Sequence, residues 1–417
     1  MKMKNPIAGL TAIMLAIAGL FLPPSARARN EADADYKAYN AAFLAQKSDG
    51  NFVPSSYTNA LWASGIRGNL SFETGGNLPV HSSSTSPLLS AAFTSANADT
   101  LMNSYNNAFY AGNNGKGYFK NYRTGGGTGF WQQAEEIEAV EDAYERSGNY
   151  RTMIVSLLNG FASIRGSNWS SNIFNDDIMW ATIAFARGYQ ITGDATFLSI
   201  AETNYAIAFN RGWDPVAGGL FWTTAKNSKN ACVEGPGSIA AHLLYEITGK
   251  TSYRQQSAAI FNFLQARLWN SSIGNVYDNL SNHGATTYNQ GTFIRAAELN
   301  GNIAAANLAA KYLMSMGSTT PASHGYNIMP NYKTANNNSG FNSIAIRWVA
   351  RFMKDKGLQS TYLGWLQANA QAAWNVIRIS DDLSWQDWHD VLPGGTLVGS
   401  WDCVSSVTAL QDVPPPQ

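Results

Sequence analysis

Two adjacent carboxylates, Asp176 and Asp177, open a run that reaches Gln190 without a proline. Within it Ile178, Trp180, Ile183, Phe185 and Tyr189 recur at three- and four-residue intervals, the period of a largely buried helix. The pair therefore stands in a helical first turn, where the helix N-terminus favours an ionised carboxylate. Trp180 excludes water from the same turn, and desolvation favours the protonated form. Opposed pressures on neighbouring acids suit glycoside hydrolysis, which needs one charged nucleophile or base and one proton donor. The simpler reading makes Asp176 an N-cap and Asp177 an ordinary first-turn acid. The rest of the chain has to decide between them.

Other acids compete. Glu135 and Glu136 begin a helical run whose Glu138, Glu141 and Asp142 read as an exposed face. Asp381 and Asp382 share a loop with Trp385, Asp387, Trp388, His389 and Asp390, a composition able to line a sugar cleft. Asp214, near Trp213, and Asp278, near Tyr277, read as loop acids that orient hydroxyls. The five histidines, at 81, 242, 283, 324 and 389, have no metal-ligand spacing, so no catalytic metal and no cofactor are expected. Calcium held by loop oxygens stays open.

The elements that must position these residues are helices in pairs. Glycines 148, 193, 249, 301 and 357 each follow one helical run and precede another, at separations of 45, 56, 52 and 56 residues. Glycine takes the left-handed conformation that ends a helix, so the spacing is an internal repeat of helical hairpins. Helices are predicted over 97–111, 131–147, 149–164, 176–192, 194–210, 235–248, 250–269, 286–300, 302–316, 340–356, 358–376 and 402–411. Brief alternation around 218–224 and 274–278 predicts small β-ribbons in loops. The expected architecture is all-α, an (α/α)6 barrel of two concentric rings, with an open solenoid as the competing topology.

With the hinges at one rim, every second helix starts from the other. Those starts are Phe130–Glu135, Asn175–Asp177, Cys232–Gly237, Thr287–Gly291, Ser339–Asn342 and Gly399–Asp402. Each joins an aromatic residue or glycine to Asn, Gln, Asp or Glu, and six such tips around one mouth make a site. Cys232 and Cys403 belong to the third and sixth starts, on opposite sides of a closed ring. A disulfide needs Cα atoms within ~7 Å, so none is expected.

The chain begins with Met1-Lys2-Met3-Lys4, an apolar run from Pro6 to Leu22, and Ala26-Arg27-Ala28. That pattern predicts a signal peptide over 1–28 cut after Ala28, hence a secreted or periplasmic protein without a retained membrane span. Residues 29–95 read as an N-terminal extension packed on or linked to the barrel, 96–412 as the catalytic domain, and 413–417 as a Pro-rich tail. Removing Lys2, Lys4 and Arg27 from the 28 basic residues leaves 25 against 28 acidic ones, which suggests neither nucleic acid nor a membrane surface as partner. Charged residues are 13% and aromatics 12%, a balance suited to a neutral, hydroxyl-rich ligand. A monomer is expected.

Six ordered blocks resemble glycoside hydrolase family 76, the endo-α-1,6-mannanases. They are Phe130–Glu135, Asn175-Asp176-Asp177 with Trp180, Gly218–Trp222, Lys229-Asn230 ahead of Glu234-Gly235-Pro236, Thr287–Gly291 and Phe341–Trp348. The resemblance implies an (α/α)6 barrel and a retaining reaction on α-1,6-mannan or manno-oligosaccharides, with Asp176 as nucleophile and Asp177 as acid/base. Retention requires carboxyl groups ~5–5.5 Å apart, within reach of neighbours on a first helical turn. Stacking platforms are expected at Trp131, Trp180, Trp222, Tyr288 and Phe341, and polar sugar contacts at Gln132, Gln133, Glu135, Asn175, Lys229, Asn230, Asn289 and Gln290. The extension before residue 96 has no counterpart in the family. A mannan transglycosidase, a sugar epimerase on the same barrel and a non-catalytic glycan-binding protein are the rival readings.

Overall fold

A computed structural model describes residues 92–320, 323–332 and 338–417. The expected signal peptide and nearly all of the expected extension lie outside the described residues. Twelve α-helices are found among those described. The even-numbered ones are α2 (Phe130–Ser147), α4 (Asn175–Thr192), α6 (Ala231–Thr248), α8 (Thr287–Leu299), α10 (Phe341–Lys356) and α12 (Ser400–Asp412). These pack side by side in that order, and α12 returns to α2, which closes an inner ring. An open solenoid would leave those two apart.

The outer layer comprises α1 (Ser95–Phe109), α3 (Arg151–Arg165), α5 (Ala195–Gly212), α7 (Thr251–Arg267), α9 (Ile303–Ser315) and α11 (Gln359–Asn375). Each lies against one or two inner helices. The five hinge glycines all adopt positive φ, between +66° and +79°, so each helix stops where the sequence placed the turn. The result is an (α/α)6 barrel. Helix α6 starts four residues before its expected position, at Ala231, with Pro236 in its second turn. Proline's fixed φ suits a helix, and the cost is the hydrogen bond to the carbonyl of Cys232.

The ribbons lie elsewhere than expected. β1 (Tyr110–Asn113) pairs antiparallel with β2 (Lys116–Phe119), and β3 (Ser318–Thr319) with β4 (Asn327–Ile328). The stretches 218–224 and 274–278 form only isolated bridges, such as Trp213–Leu220 and Trp269–Val276. Gly218, Gly219 and Gly274 turn the chain there with φ of +70° to +88°, which breaks any ladder.

An inner helix is enclosed by two inner neighbours and the outer layer, and its remaining side faces the barrel axis. This overturns the reading of α2's acids as an exposed face. Glu135, Glu136, Glu138, Glu141 and Asp142 are all buried. Their counter-charges come from the middle of two apolar helices. Arg187 of α4 reaches Glu138 (2.9 Å), Asp142 (2.7 Å) and Glu145 (3.0 Å). Arg347 of α10 reaches Glu135 (2.6 Å) and the other oxygen of Asp142 (2.7 Å). Buried charges persist only when paired and hydrogen-bonded. Here acids outnumber arginines, and burial with neighbouring acids pushes Glu141 and Glu135 up, Glu135 to about 8.

Candidate active site

The inner-helix tips carry aromatic side chains that meet. Trp131 of α2 lies 4.8 Å from Trp401 of α12 and 6.2 Å from both Trp180 of α4 and Phe341 of α10, between ring centroids. Tyr288 of α8 completes the cluster, 4.0 Å from Phe341 and 6.3 Å from Trp180. Cys232 of α6 neighbours both Tyr288 and Asp176. All six starts therefore gather at one mouth.

Asp176 and Asp177 occupy the first turn of α4, both half-buried. The turn is anchored from beside the barrel. Asn175 donates its backbone N–H to Trp222 O (2.8 Å) and its side-chain amide to Phe221 O (2.7 Å), and accepts from Arg211 Nε (2.7 Å). Asp177 Oδ2 accepts from Asn172 Nδ2 at 2.9 Å, and the Arg165 guanidinium lies close enough to favour its ionised form. Asp176 Oδ1 is buried without a hydrogen-bond partner. Burial and then the charge of Asp177 push Asp176 up to about 7, while burial alone pushes Asp177 up to about 6. Between those values the two carboxyls share one proton, and the apparent constants belong to the pair.

The remaining expected site residues divide. Trp131, Trp180, Tyr288 and Phe341 build the aromatic mouth. Gln133 and Asn289 are buried within the ring; neither amide atom of Gln133 has a hydrogen-bond partner, and Asn289 lies against the Tyr288 hydroxyl. Others brace the scaffold instead of facing a sugar. Glu135 lies below the mouth on Arg347. Lys229 is held by Asp214 (2.5 Å) and Gly218 O (2.6 Å), over the rings of Phe221 and Phe263. Gln290 ties Val276 N, Gly274 O and Ala309 O, and Gln132 caps Gly129 N. Asn230 accepts from the Ser228 hydroxyl at the start of α6. Asn175 fastens the loop as described. Trp222 packs on Phe174, with ring centroids 5.4 Å apart.

The competing acids are also bound up. Asp381 pairs with Arg378 (2.8 Å) and Arg123. Asp214 serves Lys229, whereas Asp278 stays near Cys232 and Tyr288 at the mouth. Sequence reasoning missed Asn172 and Arg165. Arg165 ends α3 and Asn172 lies in the loop that follows, and only the fold brings them to Asp177. Among the described residues no group of three or more His, Cys, Asp or Glu could hold a metal ion, and no helix is long and apolar enough to cross a membrane. Cys232 and Cys403 are both buried and free.

The profile described as glycosyl hydrolase family 76 matches residues 92–412. Among solved structures, the chain is similar to the GH76A alpha-1,6-mannanase from Salegentibacter sp. HEL1_6. Identity is 25%, with 76% of this chain and 98% of that one covered and a TM-score of 0.68. An inactive variant of that enzyme, with two consecutive aspartates replaced by alanine, was solved in complex with alpha-1,6-mannotetrose (26% identity over the same shares, TM-score 0.68). Dfg5 from Chaetomium thermophilum, in complex with glucosamine, shares the fold at 17% identity, covering 70% of this chain and 83% of that one with a TM-score of 0.57. No curated protein matches by sequence. With the profile spanning the whole barrel, the chain belongs to glycosyl hydrolase family 76.

Proposed function

We propose that the protein is a secreted, retaining endo-α-1,6-mannanase. The observation that carries this reading is the acid pair in the first turn of α4: half-buried, inside a ring of aromatic helix tips, with burial raising both carboxyls. Asp176 attacks the anomeric carbon of a mannosyl unit while Asp177 protonates the departing O6. Water activated by Asp177 then releases the sugar from Asp176. In the free protein burial favours the proton on Asp176. Positive charge developing at the anomeric carbon favours an ionised Asp176 and moves the proton to Asp177. The relative inactivated by replacing two consecutive aspartates, and solved with an α-1,6-linked mannotetrose, supports both the residues and the substrate class.

Incubation with linear α-1,6-mannan, following the first-released anomer by NMR, tests the proposal. Wild type should release the α-anomer, and Asp176→Asn should lose cleavage. Cleavage that survives the substitution removes Asp176 as nucleophile, and initial β-anomer contradicts retention. Added mannan acceptors distinguish a transglycosidase by the lengthened product. N-terminal sequencing of exported protein tests the cut after Ala28.

A further inference from the structure

The loop carrying Trp222 is fastened to the strand of chain that leads into α4. Thr224 N donates to Ile173 O (3.0 Å), Asn175 N to Trp222 O (2.8 Å), and Phe174 bridges Thr223. Trp222 N donates to Ser228 O (2.8 Å), which fixes the loop from its other side. With the backbone held at both edges and the ring against Phe174, the indole has little freedom. The Asn175–Trp222 hydrogen bond sets this indole beside the first turn of α4, where its N–H is near enough to Asp176 to favour the ionised carboxyl.

Both ends of this contact are incomplete. Trp222 Nε1 is buried without a hydrogen-bond partner, and so is Asp176 Oδ1. Buried polar groups are normally paired, and catalytic hydrogen bonds are often long in the free enzyme and tighten in the complex. We propose that Trp222 is a positioning residue for the nucleophile, whose indole N–H closes onto Asp176 Oδ1 as that carboxyl ionises and so assigns the negative charge to Asp176.

An indole N–H only donates, so it favours the acceptor-only, ionised carboxylate. The proton that leaves Asp176 goes to Asp177, and no proton enters or leaves the pair. Asp177 accepts from Asn172 and lies near the Arg165 charge, whereas Asp176 without Trp222 keeps only the smaller help of the Asp177 N–H and the Cys232 thiol, so the negative charge would shift towards Asp177. The inference rests on the assignment of Asp176 as nucleophile.

Trp222→Phe keeps a ring on Phe174 and deletes the donor. An aryl α-mannoside with an activated leaving group needs no proton from Asp177, so the acid limb of its kcat/KM reports ionisation of the nucleophile. That limb should move up by about one pH unit, and kcat should fall about 10- to 100-fold with KM little changed. Phe174→Leu, which keeps the N–H and loses the ring contact, should leave the limb in place. An unmoved limb in an active Trp222→Phe enzyme overturns the inference, as does an equal shift in Phe174→Leu. If Trp222→Phe does not fold, indole N–H resonances of the intact protein give the answer. One of them should titrate with the acid pair in wild type and in Asp177→Asn, and cease to titrate in Asp176→Asn. The absence of any titrating indole also overturns it. Cleavage surviving in Asp176→Asn would instead sink the nucleophile assignment itself.

Discussion

Replacing Glu136 with glutamine should make the protein's stability less sensitive to pH. Glu136 is fully buried between α1, α2 and α12. Its Oε2 accepts from the Thr128 hydroxyl at 2.7 Å, and its other neighbours are the hydroxyls of Ser400 and Tyr105, with no cation beside it among the described residues. Burial pushes this carboxyl from 4.5 up to about 8, so it is neutral in the fold at pH 7 and ionised in the unfolded chain. The folded state then binds the extra proton, and the contribution is complete below about pH 4.5 and lost as pH rises towards 8. A shift of that size is worth about 5 kcal/mol across the interval, to order of magnitude. Glutamine has the same shape and no proton to lose, so its relative stability should climb by that amount from pH 4.5 to 8 and level off above. At about 0.7 kcal/mol/K of unfolding entropy for roughly 320 residues, the melting temperatures should move by about 7 °C relative to one another. Differential scanning calorimetry of both proteins from pH 4.5 to 9 measures this. A Tm difference constant across that range would mean Glu136 is ionised in the fold, and the account of the buried acids would be wrong.

Three further outcomes follow from the site and its support. Arg347→Met strands Glu135 and one oxygen of Asp142 and should cost about 3–5 kcal/mol, read by denaturant unfolding at pH 7. With the proposed mechanism, in which only the singly protonated pair reacts, the kcat/KM profile on mannan should be a bell whose acid limb lies above the usual carboxylate range. A broad plateau from pH 4 to 9 would contradict the shared proton. Arg165→Met removes the cation that holds Asp177 down, so the pair should protonate at higher pH and the acid limb should rise, visible in the same titration.

Most of the scaffold could be read from the chain because its punctuation is local. Gly148, Gly193, Gly249, Gly301 and Gly357 stop helices through their own backbone freedom, and apolar periodicity survives on both sides of each. The errors arose where neighbours distant in sequence decide the outcome. The acids of α2 look solvated until Arg187 and Arg347 are placed at the same depth on other inner helices. Two arginines embedded in long apolar runs were the available signal. Likewise Asn114-Gly115, both at positive φ, form the two-residue turn of the β1–β2 hairpin, a local cue, whereas the alternation around 218–224 and 274–278 is broken by glycine turns. At the site, the acid pair and its aromatic surroundings were legible. The bracing roles of Lys229, Gln290 and Asn175 were not, because an amide or ammonium at a helix tip looks the same whether it meets a sugar or a carbonyl.

The seam where α12 meets α2 joins segments about 270 residues apart in sequence. A growing polypeptide leaves the ribosome with α1–α11 and no lid for that gap, so the acids of α2 stay wet until α12 arrives. Contacts this remote form slowly. Premature termination before Ser400 should therefore yield an aggregating fragment instead of a smaller enzyme, and chaperone dependence should fall away only once the final segment has emerged.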